Sequence, residues 1–325
     1  MRPDGREPAV IDVVIPAYNA ANFLRETLES LAAQTLPPRQ AIIVNDASTD
    51  DTVAVAQACA AELRDRIAIT IIPNTGPRGP SAGRNTGIEA SDADRIALLD
   101  ADDLLAPGHH ATLARLLDDC PDAVLSFGNS TVFDAVATRV PDYLAVSGLR
   151  TWPARRIAED CFTADDAMFE AMLRHGVFGT SACLFRRDAA LAAGLFDEAM
   201  MQSEDTDFFL RLALIGRFVF THDVVTHKRE HADNLSHERN RFASCRGIAV
   251  SLTRLATGGA RKASAEQQAA LRVALLEAME GYLYHASRAG FAAYRDAYRL
   301  ACRSGFGAMA ANPRHLARAL LHAFR

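Results

Sequence analysis

The sequence predicts an α/β fold: a mostly parallel sheet flanked by helices, followed by a helical C-terminal region. Three features of the 325 residues carry that expectation. Apolar, strand-length runs alternate with segments of helical period through the first part of the chain, the pattern of βαβ units. Polar side chains gather where four consecutive runs end. From about Arg239 onward the pattern is helical throughout.

The elements follow in order. "IDVVIPAYN", from Ile11, reads as a buried strand ending at Pro16. The segment 22–34 places Phe23, Leu24, Thr27, Leu28 and Leu31 at helical spacing. "QAIIVND" is a second strand. Asp50 and Asp51 open a helix running to about Leu63, acids standing where the N-terminal dipole favours them. "IAITIIP" is a third strand, "PSAGRNTGIEAS" a loop and short helix, and "RIALLD" a fourth strand. Their continuous apolar character suits strands covered on both faces. "HHATLARLLDDC" reads as a helix and "AVLSFGNSTVF" as a strand. Residues 135–165 show no clear period and read as a long loop or an excursion over the site. "SACLFRRDAALAAGLFDE" gives a strand, a short helix and a stop at Gly194. "EDTDFFLRLALIGR" is an amphipathic helix ending at Gly216, with "FVF" and "VVTHKRE" as two short strands after it. In the tail, Ser264 and Gln267 form the pattern of a capping box. Asn312 caps a last helix with Pro313 at its first position.

Composition bounds the function. Hydrophobic residues make up 49% of the chain, enough for a substantial core. "MRPDGREPAVID" lacks a signal-peptide core, and no apolar stretch is long enough to span a bilayer. A cytoplasmic location is expected, free or peripheral at the cytoplasmic face of the membrane. The six scattered cysteines form no C-x-x-C pair and read as reduced packing thiols. The net charge of −5 hides an asymmetry. From Arg241 onward 13 Lys/Arg face four acids, whereas the remainder carries 22 Lys/Arg and 36 Asp/Glu. The acidic body offers no general positive field, so no nucleic-acid partner is expected. The basic tail leaves two readings open. One is peripheral contact with anionic lipid, and the other is packing on the catalytic domain or on a second copy as a homo-oligomer.

Ligands of open parallel sheets bind outside the carboxyl ends of the strands. Tyr18 and Asn19 follow the first strand, Asn45, Asp46 and Ser48 the second, Asn74 and Gly76 the third. Asp100, Asp102 and Asp103 follow the fourth, in "ALLDADDLLAPG". Clustered carboxylates there suit either a turn or a hard divalent cation holding phosphates. No G-x-G-x-x-G follows the first strand, which disfavours a nicotinamide-dependent oxidoreductase.

Five ordered motifs now carry a resemblance. "VVIPAYNAANFLRETLESLAAQTLPPRQAIIVNDASTDDT", "NTGPRGPSAGRNTGI", "ALLDADD", "GLFDEAMMQSEDTDFFLRLALIG" and "KREHADNLSH" resemble the segments of family 2 glycosyltransferases. Those enzymes are nucleotide-sugar dependent and inverting, with the Rossmann-like type A fold. The resemblance spans about Ile11 to Arg239, and implies a catalytic domain over 1–239 and a basic helical region over 240–325. It implies transfer of a sugar from a nucleoside diphosphate sugar, UDP-linked above others, to an acceptor hydroxyl. That acceptor would belong to a surface polysaccharide, a lipid-linked oligosaccharide or a protein glycan. By motif position, Asp46 would accept a hydrogen bond from the base, with an Asx-turn or helix cap before "STDDT" as its alternative, and Pro16 and Tyr18 would frame the base, with a core position for Tyr18 as the alternative. Arg84 would fork onto base or phosphate oxygens, or pair with a neighbouring acid. Asp100 would face the ribose, Asp102 would ligate Mn²⁺ or Mg²⁺ bridging the diphosphate, and His231 would be a further metal ligand or a donor to the diphosphate. Asp205 would be the general base and Glu204 would position the acceptor or the base, with ordinary acid preference at a helix start as the alternative for both. His227 and His237 compete with His231, and Ser236 and Lys228 are secondary candidates for phosphate. Asn45 departs from the family's Asp and leaves open a non-catalytic nucleotide-sugar binding or scaffold protein with a degenerate site.

Overall fold

The computed structural model describes residues 10–174, 176–232, 234, 240–259 and 263–322. Its first half alternates strand and helix: β1 (Ile11–Ala17), α1 (Leu24–Ala32), β2 (Gln40–Asn45), α2 (Thr52–Leu63), β3 (Ala68–Pro73), α3 (Pro80–Ala90) and β4 (Arg95–Leu98). These four strands lie parallel in the order β3-β2-β1-β4. Odd and even residues of β1 and β4 serve opposite faces. Val14, Ile96 and Leu98 join one apolar cluster, and Val13, Ile15, Ala97 and Leu99 join the other. Burial on both faces is why the runs are continuously apolar. Gly87 lets α3 lie against β1, since a Cβ there would stand 2.3 Å from Val14 Cγ1.

The second half follows with β5 (Leu104–Leu105), α4 (His109–Asp119), β6 (Ala123–Phe133), β7 (Thr138–Val140), α5 (Tyr143–Val146), β8 (Arg155–Ala158) and β9 (Cys161–Thr163). After these come α6 (Asp166–Arg174), β10 (Cys183–Arg186), α7 (Arg187–Ala192), α8 (Glu204–Ala213) and β11 (Arg217–Arg229). The sheet continues past β4 as β10-β6-β11-β9-β8, with β5 on β11 and β7 on β6. β10 runs antiparallel between β4 and β6, and β11 is parallel to β6, so the sheet is mixed and mostly parallel. Two readings of the sequence change here. "FVF" and "VVTHKRE" belong to one 13-residue strand whose register against β6 shifts around Phe220–Thr226, where polar residues interrupt the apolar run. The stretch 135–165 is largely ordered as β7, α5 and a β8–β9 hairpin at the sheet edge, elements too short to show a period.

The tail forms α9 (Arg241–Arg254), α10 (Ala265–Ala289), α11 (Phe291–Arg303), α12 (Gly307–Ala310) and α13 (Pro313–His322). The capping box is present: Gln267 N donates to Ser264 Oγ at 3.2 Å, and Ser264 N donates to Gln267 Oε1 at 2.9 Å. Asn312 Oδ1 accepts from Arg314 N at 3.0 Å. Leu271, Leu275 and Met279 of α10 share one apolar cluster with Phe127, Phe169 and Phe209, so the tail packs on the sheet-bearing part.

Candidate active site

The carboxyl ends of β1, β2, β3 and β4 face one crevice, and its floor is built from side chains that hold one another. Tyr18 is 51% exposed, which removes the core alternative, and the Arg78 guanidinium lies 4.7 Å from its ring centroid. Pro16 packs beneath: a Cβ on Gly83 would sit 3.2 Å from Pro16 Cβ, so the glycine lets the start of α3 close on β1. Asp46 is buried and fixes the loop after β3. Its Oδ1 accepts from Asn74 Nδ2 at 2.6 Å and its Oδ2 from Gly79 N at 2.8 Å. The bonds run to that loop rather than to α2, so Asp46 is not the helix cap. The turn into α2 is tied by Asp50, which accepts from Thr52 N at 3.0 Å. Each Asp46 oxygen keeps a second lone pair for a donor in the crevice. Asn45 Oδ1 accepts from Ser48 N at 3.1 Å, a local bond that asks only for an acceptor oxygen.

The three aspartates after β4 have different partners and different charge. Asp100 Oδ1 accepts from Arg84 Nη2 at 2.9 Å and its Oδ2 from the Thr180 hydroxyl at 2.8 Å. Burial works against the charged form, but Arg84 and Thr180 outweigh it and hold this carboxyl below its ordinary range. Asp102 Oδ2 lies 2.8 Å from His231 Nε2. Burial and then the neighbouring Asp100 push its carboxyl up, against the pull of His231. Asp103 is buried, accepts from the Ser181 hydroxyl at 2.7 Å and from Arg229 N at 2.9 Å. Burial, then Asp100 and Asp102, push it up to about 8. The two neighbouring carboxyls are thus shifted in opposite directions, Asp103 up and Asp100 down. His231 is oriented by stacking on Phe23, with ring centroids 4.6 Å apart. Arg229 spans the same corner, donating to Asp102 O at 2.9 Å and pairing with Glu26 at 2.6 Å.

Arg84 lies beneath the crevice, 4% exposed, with Nη1 2.7 Å from Glu204 Oε1 and Nη2 on Asp100. Both ends of its fork are therefore taken by carboxylates, and its Nε is buried with no partner among the described residues. Glu204 opens α8; burial pushes its carboxyl up despite Arg84. Next to it Asp205 is half-buried, and its Oδ1 accepts from Thr206 N at 2.7 Å. Ser203, at φ +61°, turns the chain into α8 without capping it. Lys228 looks into the same space. Burial lowers its affinity for a proton, but Asp103, Tyr143, Asp100 and Asp205 together raise it. Its ammonium is thus kept at the centre of the acidic cluster.

The structure therefore ties Asp100 to Glu204 through Arg84, sets Asp102 against His231, and brings Asp103 and Lys228 into the same charged corner, while Tyr18 and Asp46 stand at the ends of β1 and β2. His227 bonds the Thr131 hydroxyl at 2.8 Å, away from the carboxylates. Ser236 and His237 lie outside the described residues. Thr180 and Ser181, which position Asp100 and Asp103, were missed by sequence reasoning. The hydroxyl pair just ahead of the strand "CLF" was the available signal. Among the described residues no three His, Cys, Asp or Glu side chains converge as a ready-made cage. What does converge is one carboxylate with one imidazole, an open donor set.

Parallel strands in the order β3-β2-β1-β4, with acids at their carboxyl ends, define an α/β protein of the class whose ligands lie at such a switch point, here between β1 and β4. The model of Glycosyl transferase family 2 matches residues 12–187, more than half of the chain, and the protein belongs to that family. It is 32% identical over 203 residues to the uncharacterized glycosyltransferase YwdF of Bacillus subtilis (strain 168), covering 62% of this chain and 68% of that one. It is 27% identical to the succinoglycan biosynthesis protein ExoW of Rhizobium meliloti (strain 1021), over 70% of this chain and 71% of that one. The chain spans 64% of the length of two further glycosyltransferase relatives, from Rickettsia. Among solved structures, the mannosyltransferase PcManGT of Pyrobaculum calidifontis, in complex with GDP-Man and Mn²⁺, superposes with a TM-score of 0.60 at 19% identity, covering 98% of this chain and 88% of that one. TarS 1-349 of S. aureus in complex with UDP gives 0.54 at 15% identity, covering 93% and 88%. The fold is the glycosyltransferase type A fold.

Proposed function

We propose that the protein is an inverting, metal-dependent hexosyltransferase that moves a sugar from a nucleoside diphosphate sugar to a carbohydrate hydroxyl. The observation that carries the proposal is the acidic cluster at the carboxyl ends of the strands, in which Asp102 stands beside His231 and Arg84 ties Asp100 to Glu204. The lone pairs of Asp46 suit the imide N–H of a uracil ring, and Tyr18 supplies a flat wall beside it. Asp100, ionised by Arg84, is an acceptor for ribose hydroxyls. The carboxylate of Asp102 and the oriented imidazole of His231 are oxygen and nitrogen donors that would suit a divalent ion. These two residues would hold Mn²⁺ or Mg²⁺, which when bound stabilises charge on the departing diphosphate.

Asp205 takes the proton of the acceptor hydroxyl. The acceptor oxygen forms a bond to the anomeric carbon as the bond from that carbon to the diphosphate breaks, and the single displacement inverts the centre. Arg84 acts through Glu204 and Asp100 rather than on substrate: it fixes the first turn of α8, and so the place of Asp205, relative to the donor side. Lys228 lies where it can offset negative charge gathering on the diphosphate side. PcManGT is described with GDP-Man and TarS with UDP, so the fold accommodates both bases, and UDP is favoured here by Asp46. The likeness to ExoW, a succinoglycan biosynthesis protein, supports a polysaccharide acceptor, with lipid-linked or protein-linked glycans as alternatives. A degenerate scaffold is the rival reading. It is weakened because Asn45 meets the bond its position requires.

The test is a panel of UDP- and GDP-sugars with Mn²⁺, read as nucleoside diphosphate release with and without oligosaccharide acceptors. Release from one donor by the wild type, and none from Asp102→Ala or Asp205→Asn, supports the enzyme. Donor binding with no release under any condition supports the scaffold.

A further inference from the structure

The last helix faces the wrong way for a helix that merely closes a core. α13 turns Ala319, fully buried, towards the apolar cluster, and leaves Leu316, Leu320 and Leu321 exposed at 42%, 46% and 74%. A single exposed leucine says little, but three on one face of a helix make a contiguous apolar patch. Leu316 and Leu320 stand one turn apart, as do Ala317 and Leu321, so the apolar side chains form one outward ridge. Arg314, exposed, lies on the Ala317–Leu321 side of that ridge. On the inner flank Arg318 donates to the Ser287 hydroxyl at 3.2 Å and lies 4.8 Å from the Tyr284 ring, pinning α13 to α10 in this orientation. Tyr284 is itself 39% exposed.

Two facts select the occupant. Three leucines on one convex ridge offer far less than the ~800 Å² per partner that a stable protein interface buries. The region from Arg241 onward carries 13 Lys/Arg against four acids, on a protein whose remainder is strongly acidic. A shallow apolar ridge flanked by arginine, on the basic part of an otherwise acidic molecule, complements an anionic bilayer surface, where leucines enter the acyl boundary and guanidinium groups meet phosphates. Among the described residues no helix is long and apolar enough to cross a membrane, so the contact is along the surface.

We infer that α13 is a peripheral anchor that lays its Leu316–Leu320–Leu321 ridge onto an anionic lipid surface. This holds whatever sugar the crevice transfers: loss of vesicle binding with transfer intact, or the reverse, separates the two readings. The full chain is floated with vesicles of phosphatidylcholine alone and of phosphatidylcholine with phosphatidylglycerol. Expected is flotation with the anionic vesicles, weakened by salt, reduced at least ~10-fold in Leu320→Glu/Leu321→Glu and about fivefold in Arg314→Gln. Both variants change exposed residues and should melt with the wild type. Leu320→Ala/Leu321→Ala, which adds no charge, should still lose binding. Equal flotation of wild type and all variants overturns the inference. So does an absence of flotation coupled with a dimer that the leucine variants dissociate, which would assign the ridge to a second copy.

Discussion

In the proposed mechanism Asp102 and Asp205 would divide the work of the site, and their substitutions are expected to separate binding from turnover. Asp205→Asn keeps the size and one acceptor of the side chain but removes the proton acceptor. The expected result is a fall of about 10²–10⁴-fold in kcat with donor affinity retained, measured by steady-state transfer beside equilibrium binding. Arg84 makes a prediction of another kind. Arg84→Met leaves Glu204 buried and Asp100 without their shared cation. Breaking a buried pair in this way costs about 3–5 kcal/mol, and the lower end applies because the Asp100 side chain is 33% exposed. Urea unfolding of the variant measures it, and an unchanged midpoint would show that the triad holds nothing together. The sequence marked Arg84 and Glu204 separately, through motif position. It carried no sign that they meet, because 120 residues separate them and only the folded chain brings β4, α3 and α8 to one point.

The element whose chemistry is most exposed to pH is α4. His109 and His110 begin it, both fully buried, each with Nδ1 near a backbone carbonyl: Val225 O at 3.1 Å and Leu36 O at 3.2 Å. Burial lowers His109 to about 4; burial and then its neighbour lower His110 to about 3. The unfolded chain takes up protons near pH 6.5 and the folded chain does not, so it is the unfolded state that gains as pH falls. The contribution of the two histidines is complete above about pH 6.5 and declines towards pH 4, by up to ~1.4 kcal/mol per pH unit each, and the raised carboxyl of Asp103 opposes it in part over the same range. Thermal melts between pH 7 and pH 5 should show this decline, and His109→Asn/His110→Asn should flatten it. At α3 the argument is steric. Gly87→Ala drives a methyl into Val14 of β1 and should destabilise by roughly 1–3 kcal/mol in chemical denaturation. Helices and strands with a strong period, α1, α8 and β1 to β4, were legible from pattern alone. β5, β7, β8 and β9 were not, being two to four residues long and held by their neighbours rather than by their own sequence.

On the scale of the whole molecule, the order β3-β2-β1-β4 brings four polar strand ends to one crevice, and that much follows from apolar runs and the residues at their ends. The antiparallel insertion of β10 between β4 and β6 does not. It is fixed by packing between segments some 60 to 90 residues apart, and it delivers Thr180 and Ser181 to the aspartates. The tail's helices were legible, and the outward leucines of α13 were not, since amphipathic spacing says which residues share a face but not which way it turns. The central claim is that acids at the crevice hold a nucleoside diphosphate through a divalent ion. Calorimetric titration of UDP in Mn²⁺, against EDTA and against Asp102→Ala, tests it most directly. The account predicts binding in Mn²⁺, loss in EDTA, loss in Asp102→Ala and retention in Asp205→Asn. UDP binding of equal strength with and without the metal, and undiminished in Asp102→Ala, would contradict it.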